Sequence, residues 1–252
     1  MTADFFVPSN WYQTFFTDSV MHFWDAAIPH AMTEAEVAFV VRHAGVHPPA
    51  SILDVPCGTG RHALALGKAG FEVTGIDFAQ AALERAANNA TAAGVGVRWL
   101  RSNMLELEVD EPWDALICMG NSLGYCEPAL TGVLLRKLAC ALRVGGRLIL
   151  DTSICVESLL PIQPPRTFSF EGGTYEREIV YDASRSIIKT RAQLTIDGSR
   201  QELLYQHFVM TSGELMRALR SAGFGNCALY GTTDDAAFGP GSPRLLLVAV
   251  RE

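Results

Sequence analysis

Three small residues and two carboxylates carry the chemistry legible in this chain. Gly58, Gly60 and Ala63 form GxGxxA within LDVPCGTGRHALALGKAGFEVTGIDF (53–78), and Asp77 stands nineteen residues after Gly58. Glycines so spaced let a backbone approach its ligand closely, and an acidic residue about twenty positions on accepts hydrogen bonds from ribose hydroxyls, which is the dinucleotide fingerprint. No GxxxxGK followed by Ser or Thr occurs, so a phosphate cradle of the P-loop kind is excluded. The second carboxylate, Asp54, complicates the dinucleotide reading. It precedes Gly58 by four residues, where a pyrophosphate at the following helix N-terminus would lie close by. A carboxylate there suits a ligand that carries an ammonium group.

The elements that must hold these residues follow from periodicity. Between 51 and 150, short β-rich runs (51–55, 72–76, 97–101, 115–119 and 147–152) alternate with helical stretches. This is the pattern of βαβ units on a parallel sheet. The helical stretches RHALALGKAG, AQAALERAANNATAAG and ALTGVLLRKLACALRVGG each end in Gly, a frequent helix stop. Right-handed crossovers make the sheet doubly wound. After Thr152 the rhythm changes: PIQPPR breaks the chain, and alternating runs punctuated by YDASRS and DGS read as antiparallel hairpins. Helical spacing returns in TSGELMRALRSAGF, with Thr211 or Ser212 as cap. A strand near 227–230 and the final run RLLLVAV complete seven strands as an antiparallel pair at the sheet edge.

Before the first strand, Tyr12, Phe15, Phe16, Phe23 and Trp24 lie at mixed helical spacings. A second helix follows, with Thr33 and Glu36 as its capping box. These helices could fold over the carboxyl end of the sheet as a lid. The expected class is thus α/β: a doubly wound, Rossmann-like seven-stranded sheet with an N-terminal helical lid and an antiparallel hairpin insertion after the fifth strand. The boundaries are a lid at 1–50, the Rossmann-like domain at 51–160 and 209–252, and the insertion at 161–208.

Composition narrows the partners. Twenty Lys and Arg against 27 acidic residues give a net charge of −7, with no basic run, which argues against nucleic acid. No apolar run approaches the roughly 18–20 residues of a membrane span, and the N-terminus lacks a secretory signal, so a cytoplasmic location is expected. The six cysteines are scattered without CxxC and read as buried free thiols. No histidine pair has metal-ligand spacing.

LDVPCGTG followed by VTGIDF resembles the first motif and the acidic second-strand end of class I S-adenosylmethionine-dependent methyltransferases. SNM, ICMGNSLGYC, LRVGGRLILDT and GSPRLLLVA extend the resemblance over roughly 40–252, to the bacterial small-molecule branch with an antiparallel layer after the fifth strand. The resemblance implies S-adenosylmethionine as cofactor. Asp54, Cys57, Gly58 and Gly60 would surround its methionine part, with backbone groups holding its amino and carboxylate ends; His62 with Arg61 either orients that carboxylate or has a satisfied packing role. Asp77 would take the ribose, Phe78 would pack on adenine, and Asn103 and Met104 would meet the adenine edge. The family usually has Asp where this chain has Asn103, and a loop turn is the other reading of that residue. Met119 and Gly120 would lie near the reactive methyl, and Tyr12, with Trp11, would close over the cofactor.

On the acceptor side, Asn121, Ser122 and Tyr125 follow the fourth strand, where α/β sheets place their ligands. The alternative is that Asn121 and Ser122 cap the next turn and Tyr125 packs. His207, the one histidine of the hairpin region, either points inward as a base or outward without a task. The leading reading is methyl transfer to a small-molecule amine or hydroxyl. The rivals are a nicotinamide-dependent oxidoreductase and a non-catalytic protein that binds S-adenosylmethionine. The hairpin layer could pair with a second copy, so a homodimer stays open.

Overall fold

Neighbouring residues of a strand point to opposite faces, and in this chain both faces are apolar. Ile52 and Leu53, Leu116 and Ile117, and Leu148 and Ile149 are all fully buried, as in a parallel sheet covered on both sides. The computed structural model describes residues 5–108 and 111–252; the first four residues of the expected lid lie outside the described residues.

Three helices precede the sheet: α1 (Tyr12–Phe15), α2 (Asp18–Ala27) and α3 (His30–His43). The sheet then builds through β1 (Ser51–Asp54), α4 (Arg61–Lys68), β2 (Glu72–Asp77), α5 (Gln80–Ala93), β3 (Arg98–Arg101), β4 (Trp113–Cys118), α6 (Pro128–Ala141) and β5 (Leu142–Thr152). A one-turn helix, α7 (Val156–Leu159), leads into the hairpins β6 (Arg166–Phe170), β7 (Gly173–Asp182), β8 (Ile187–Ile196) and β9 (Ser199–Phe208). The chain closes with α8 (Ser212–Ser221), β10 (Phe224–Tyr230) and β11 (Leu245–Arg251). Strand order in the large sheet is β10-β11-β5-β4-β1-β2-β3, and β6 to β9 form a separate antiparallel sheet in sequence order. The expected seven strands are present. The expected antiparallel pair lies at the sheet edge, with β11 between β5 and β10, antiparallel to both, and β10 outermost.

Three differences from the sequence expectation have physical causes. The helix α3 begins at His30 behind Pro29, one turn before Thr33, so Glu36 is an interior helix residue, 1% exposed, and not part of a capping box. Gly145 and Gly146 do not close α6, which ends at Ala141; they lie inside β5. A methyl group at Gly146 would come within 3.0 Å of the Asp114 carbonyl oxygen, so glycine there permits close strand approach. The thiols are all free, but Cys140 is exposed and Cys227 half-buried.

Each sheet face has its own core. Leu53, Leu116 and Leu148 pack with α6 and α8 through Leu134, Leu138 and Leu219, whereas Ile52, Ile117 and Ile149 pack with α3 and α4 through Phe39, Val40 and Leu66. A third cluster joins Trp11, Phe15, Val20 and Phe23 of the N-terminal segment to Tyr175, Ala192, Leu194, Leu203 and Tyr205 of the antiparallel sheet. The N-terminal helices therefore divide: α3 belongs to the large sheet, while α1 and α2 share a core with the hairpins. The capping box expected at the start of α8 is present, with Thr211 and Glu214 exchanging hydrogen bonds.

Candidate functional site

Parallel strands end together, so the turns after β1, β2 and β4 gather at one edge. The first turn carries the glycines. Gly58 and Gly60 have φ of +53° and +82°, values that L side chains adopt poorly. A methyl at Gly60 would lie 2.6 Å from the Trp99 ring of β3, whereas one at Gly58 would meet no atom of the other described residues, its two chain neighbours aside, within 4 Å. Trp99 backs the loop from behind, and the space before Gly58 is open to a ligand.

Asp77 ties this loop to β2. Its Oδ2 accepts the Gly58 N–H at 2.8 Å and its Oδ1 accepts the Ala79 N–H at 2.9 Å, while the Ile76 carbonyl accepts the Cys57 N–H. Burial raises the Asp77 pKa, and the amides of Ala79, Gly58 and Phe78 oppose that rise. Each Asp77 oxygen keeps a lone pair for a further donor. The Cys57 thiol is pushed up by burial and by Asp54 and Asp77, so it is an inert wall residue.

Asp54, 1% exposed, ends β1 directly beneath this loop. Among the described residues neither of its oxygens completes a hydrogen bond; the Ala63 amide lies near enough only to moderate the effect of burial. Burial is the main cause that pushes its pKa up to about 8; Arg61 and the Ala63 amide pull down and Asp77 pushes further up. A buried carboxylate without a partner is costly. Among the described residues the start of α4 above it has no side-chain cap, so the Arg61 and His62 N–H groups can meet an anion. Together these two features offer an acceptor for a cation and a donor set for an anion side by side.

Aromatic rings close the front. Phe78 lies edge-on to Tyr12 at 6.0 Å and to Phe16 at 6.3 Å. Tyr125 meets Trp11 at 5.2 Å and Phe16 at 6.3 Å. Asp25 of α2 bonds the Thr59 hydroxyl at 2.8 Å and Arg85 at 2.7 Å, which fastens the N-terminal segment over the glycine loop. The lid expected from sequence order is thus formed by α1 and α2 and their aromatic residues.

After β4, Gly120 and Asn121 have φ of +78° and +72°. The Asn121 Oδ1 accepts from the Ser153 N–H at 2.6 Å and from the Ser153 and Thr152 hydroxyls, and the buried Ser122 hydroxyl donates to the Met119 carbonyl at 3.1 Å. Through these oxygens the two side chains hold the turn after β4. Asn103 likewise caps a 3₁₀ turn at Met104–Glu106 through the Leu105 N–H at 3.0 Å, which occupies part of the oxygen expected to read adenine. Met119 is buried at 4% exposure.

His207 points inward. Its ring lies 5.3 Å from Tyr125, 5.9 Å from Trp11 and 5.7 Å from Tyr205, and its Nδ1 has no hydrogen-bond partner among the described residues. Burial lowers its pKa to about 4, so the imidazole is neutral at pH 7. Gly124 makes this approach feasible, since a methyl there would come 3.0 Å from the His207 ring.

Sequence reasoning missed a buried ionic cluster behind these turns. Glu36 bonds Arg61 and the His62 Nε2 at 2.9 Å through Oε2, and Arg244 at 2.7 Å through Oε1. Arg244 also forks onto Asp151 at 2.6 and 2.5 Å. Burial would raise the Glu36 pKa, but the His62 hydrogen bond and the Arg61 and Arg244 charges hold it well below the usual carboxylate range. Burial pushes His62 down, so it donates Nε2–H as a neutral ring. Arg61 is therefore held by Glu36 and the Thr33 hydroxyl. The partners of Glu36 stand 25, 26 and 208 residues away, too far for any local pattern to mark.

Residues 52–146 match the family model for a methyltransferase domain. The glycine/sarcosine N-methyltransferase of Aphanothece halophytica is 32% identical over 120 residues, 46% of this chain and 45% of that protein. The glycine N-methyltransferase of Rattus norvegicus is 32% identical over 126 residues, 44% of this chain and 42% of that protein. The chain thus matches less than half the length of these curated relatives. Among solved structures, the sugar N-methyltransferase KedS8 from Streptoalloteichus sp. superposes with a TM-score of 0.75 at 21% identity, covering 100% of this chain and 98% of that one. An S-adenosylmethionine-dependent methyltransferase from Clostridium acetobutylicum gives a TM-score of 0.78 at 15% identity, covering 93% and 98%.

Proposed function

We propose that this chain, whose fold is that of the class I S-adenosylmethionine-dependent methyltransferases, transfers a methyl group to a small-molecule acceptor, an amine before a hydroxyl. The observation that carries the reading is Asp54, a buried carboxylate without a partner beside an uncapped helix start. A pyrophosphate would keep this carboxyl protonated and gain no charge partner from it, whereas an amino acid end, ammonium beside carboxylate, matches both halves. The residues present fit the cofactor: Asp54 holds the ammonium, the first amides of α4 the carboxylate, Asp77 the ribose hydroxyls, and Phe78 with Tyr12 the adenine faces. The expected preference for an amine follows the activities for which the similar glycine/sarcosine and sugar N-methyltransferases are named.

S-adenosylmethionine supplies a methyl group on a positively charged sulfur, open to direct displacement. What this chain adds is alignment and dryness, and alignment of reactants can contribute about 7–11 kcal/mol towards lowering a barrier. Trp11, Phe16 and Tyr125 exclude water from the front. His207, with a pKa of about 4, is a poor store for a proton at neutral pH. Its suited task is to accept a hydrogen bond from the acceptor N–H and so aim the nitrogen lone pair at the methyl.

Thermal shifts with S-adenosylmethionine, S-adenosylhomocysteine, NAD and NADP test the reading. A ligand at about 100 times its dissociation constant stabilises by roughly 2.7 kcal/mol, and the shift is expected with the first two alone. Stabilisation by the nicotinamides only would replace this reading with an oxidoreductase. A labelled-methyl screen over small amines follows, with His207→Gln expected to slow turnover without changing cofactor affinity. Cofactor binding with no methylated product across amines and hydroxyls would favour a binding protein.

Asp54 adds a pH signature. With its pKa raised to about 8, Asp54 is mostly protonated at pH 7 in the free protein, and a bound ammonium favours the carboxylate. Binding therefore releases a proton below about pH 8 and strengthens as pH rises towards that value. Calorimetry with S-adenosylhomocysteine at pH 7, in buffers of different ionisation heat, should show release approaching one proton, and almost none in Asp54→Asn. Equal release in both proteins would remove Asp54 from the ammonium site.

A further inference from the structure

We propose that Arg244 is a positioning residue that holds the two lips of the crevice in register, acting through Asp151 on the Met119–Asn121 turn and through Glu36 on the start of α4. Its purpose rests on the methyl-transfer reading; the coupling itself rests on geometry. Arg244 stands one residue before β11, and Leu245 pairs with Thr152 of β5, so the guanidinium emerges at the carboxyl rim of the large sheet. Its Nε and Nη2 fork onto both Asp151 oxygens, and its Nη1 reaches Glu36. Only a planar fork with several fixed donors spans two carboxylates in this way; a lysine ammonium is a single point.

Each carboxylate fixes one lip. The Asp151 Oδ2 also accepts the Gly120 N–H at 3.1 Å, and the Asp151 carbonyl accepts the Asn121 N–H at 3.3 Å. Gly120 and Asn121 are consecutive left-handed residues, a conformation that persists for a non-glycine residue only where neighbours over-determine it. The Glu36 Oε2 meanwhile takes Arg61 and His62, the first two residues of α4. The chain of contacts thus runs from the glycine loop through α3 and β11 to the turn where the methyl would lie. Buried ion pairs are weak contributors to stability, and the arrangement of this one explains register better than strength.

The competing reading is that the cluster only staples α3 to the sheet. Hydrogen exchange on the full chain without cofactor separates the two. Arg244→Met should speed exchange in peptides over 119–122 and 60–63 by about tenfold or more, with α5 unchanged. Arg244→Lys should change S-adenosylmethionine affinity less than about threefold, yet shift the bound methyl resonance of the 13C-methyl-labelled cofactor and lower kcat on any acceptor found. If Arg244→Met does not fold, Asp151→Asn/Arg244→Met removes both charges and leaves an acceptor for the Gly120 N–H; it should restore protection at 119–122 but not at 60–63. Uniformly faster exchange across the chain, or an unchanged methyl resonance and unchanged local exchange in folded variants, would overturn the proposal. If wild-type protein binds no S-adenosylmethionine, the function reading fails, and the exchange data still decide the coupling.

Discussion

Asp77→Ala is expected to weaken S-adenosylhomocysteine binding by about a hundredfold to a thousandfold while the protein stays folded. A hydrogen bond to a charged group contributes about 1.5–3 kcal/mol, and two ribose hydroxyls would lose their acceptor together. A second loss comes from the loop itself. The Gly58 N–H at 2.8 Å and the Ala79 N–H at 2.9 Å both depend on Asp77, so the glycine turn loses the tether that keeps its backbone in place. The open space in front of Gly58 lets water take over these amides, which limits the stability cost. Asp77→Asn keeps one acceptor oxygen and the shape, and should lose only about tenfold. Calorimetric titration of both variants, alongside their melting curves, checks this. An affinity within about threefold of wild type in folded Asp77→Ala would show that Asp77 merely shapes the turn.

That Asp77 could be singled out at all reflects how local its signal is. A glycine turn, one helix and the next strand end lie within twenty-six residues, and covalent connectivity alone brings Gly58 to Asp77. The hairpin layer was legible for the same reason, since its turns at 183–186 and 197–198 join neighbours in sequence. Less legible were the residues whose partners are remote. Asn121 Oδ1 accepts from Thr152 and Ser153 at the end of the following strand, partners that no local pattern marks. Glu36 looked like a cap because Thr33 stands three residues earlier, but Pro29 starts the helix first, and the interior position turns the carboxylate towards Arg61, His62 and Arg244. His207 was recognisable as a candidate, but its direction depended on Gly124 admitting the ring, a steric fact that alternation along a strand does not contain.

Glu36→Gln should be the most destabilising of the conservative changes in this cluster, by about 3 kcal/mol near neutral pH. The amide keeps the volume and one acceptor oxygen, but it removes the charge that Arg61, His62 and Arg244 face. Arg61 is 26% exposed at its side chain and can turn to water, and Arg244 keeps Asp151. The effect therefore falls at the lower end of what breaking a buried pair costs. The sign of its pH dependence follows from the depressed Glu36 pKa. A carboxyl that binds its proton less readily folded than unfolded stabilises fully above its unfolded value, and that stability disappears as pH falls through the folded one. The gap between wild type and Glu36→Gln should therefore be constant from pH 8 down to about pH 5, then close as acid protonates Glu36. Urea titrations at several pH values read this directly as a change in midpoint at constant slope. A gap below about 1 kcal/mol at pH 7 would mean that the arginines re-solvate freely, and a cluster that loose could not carry register between α4 and the turn after β4.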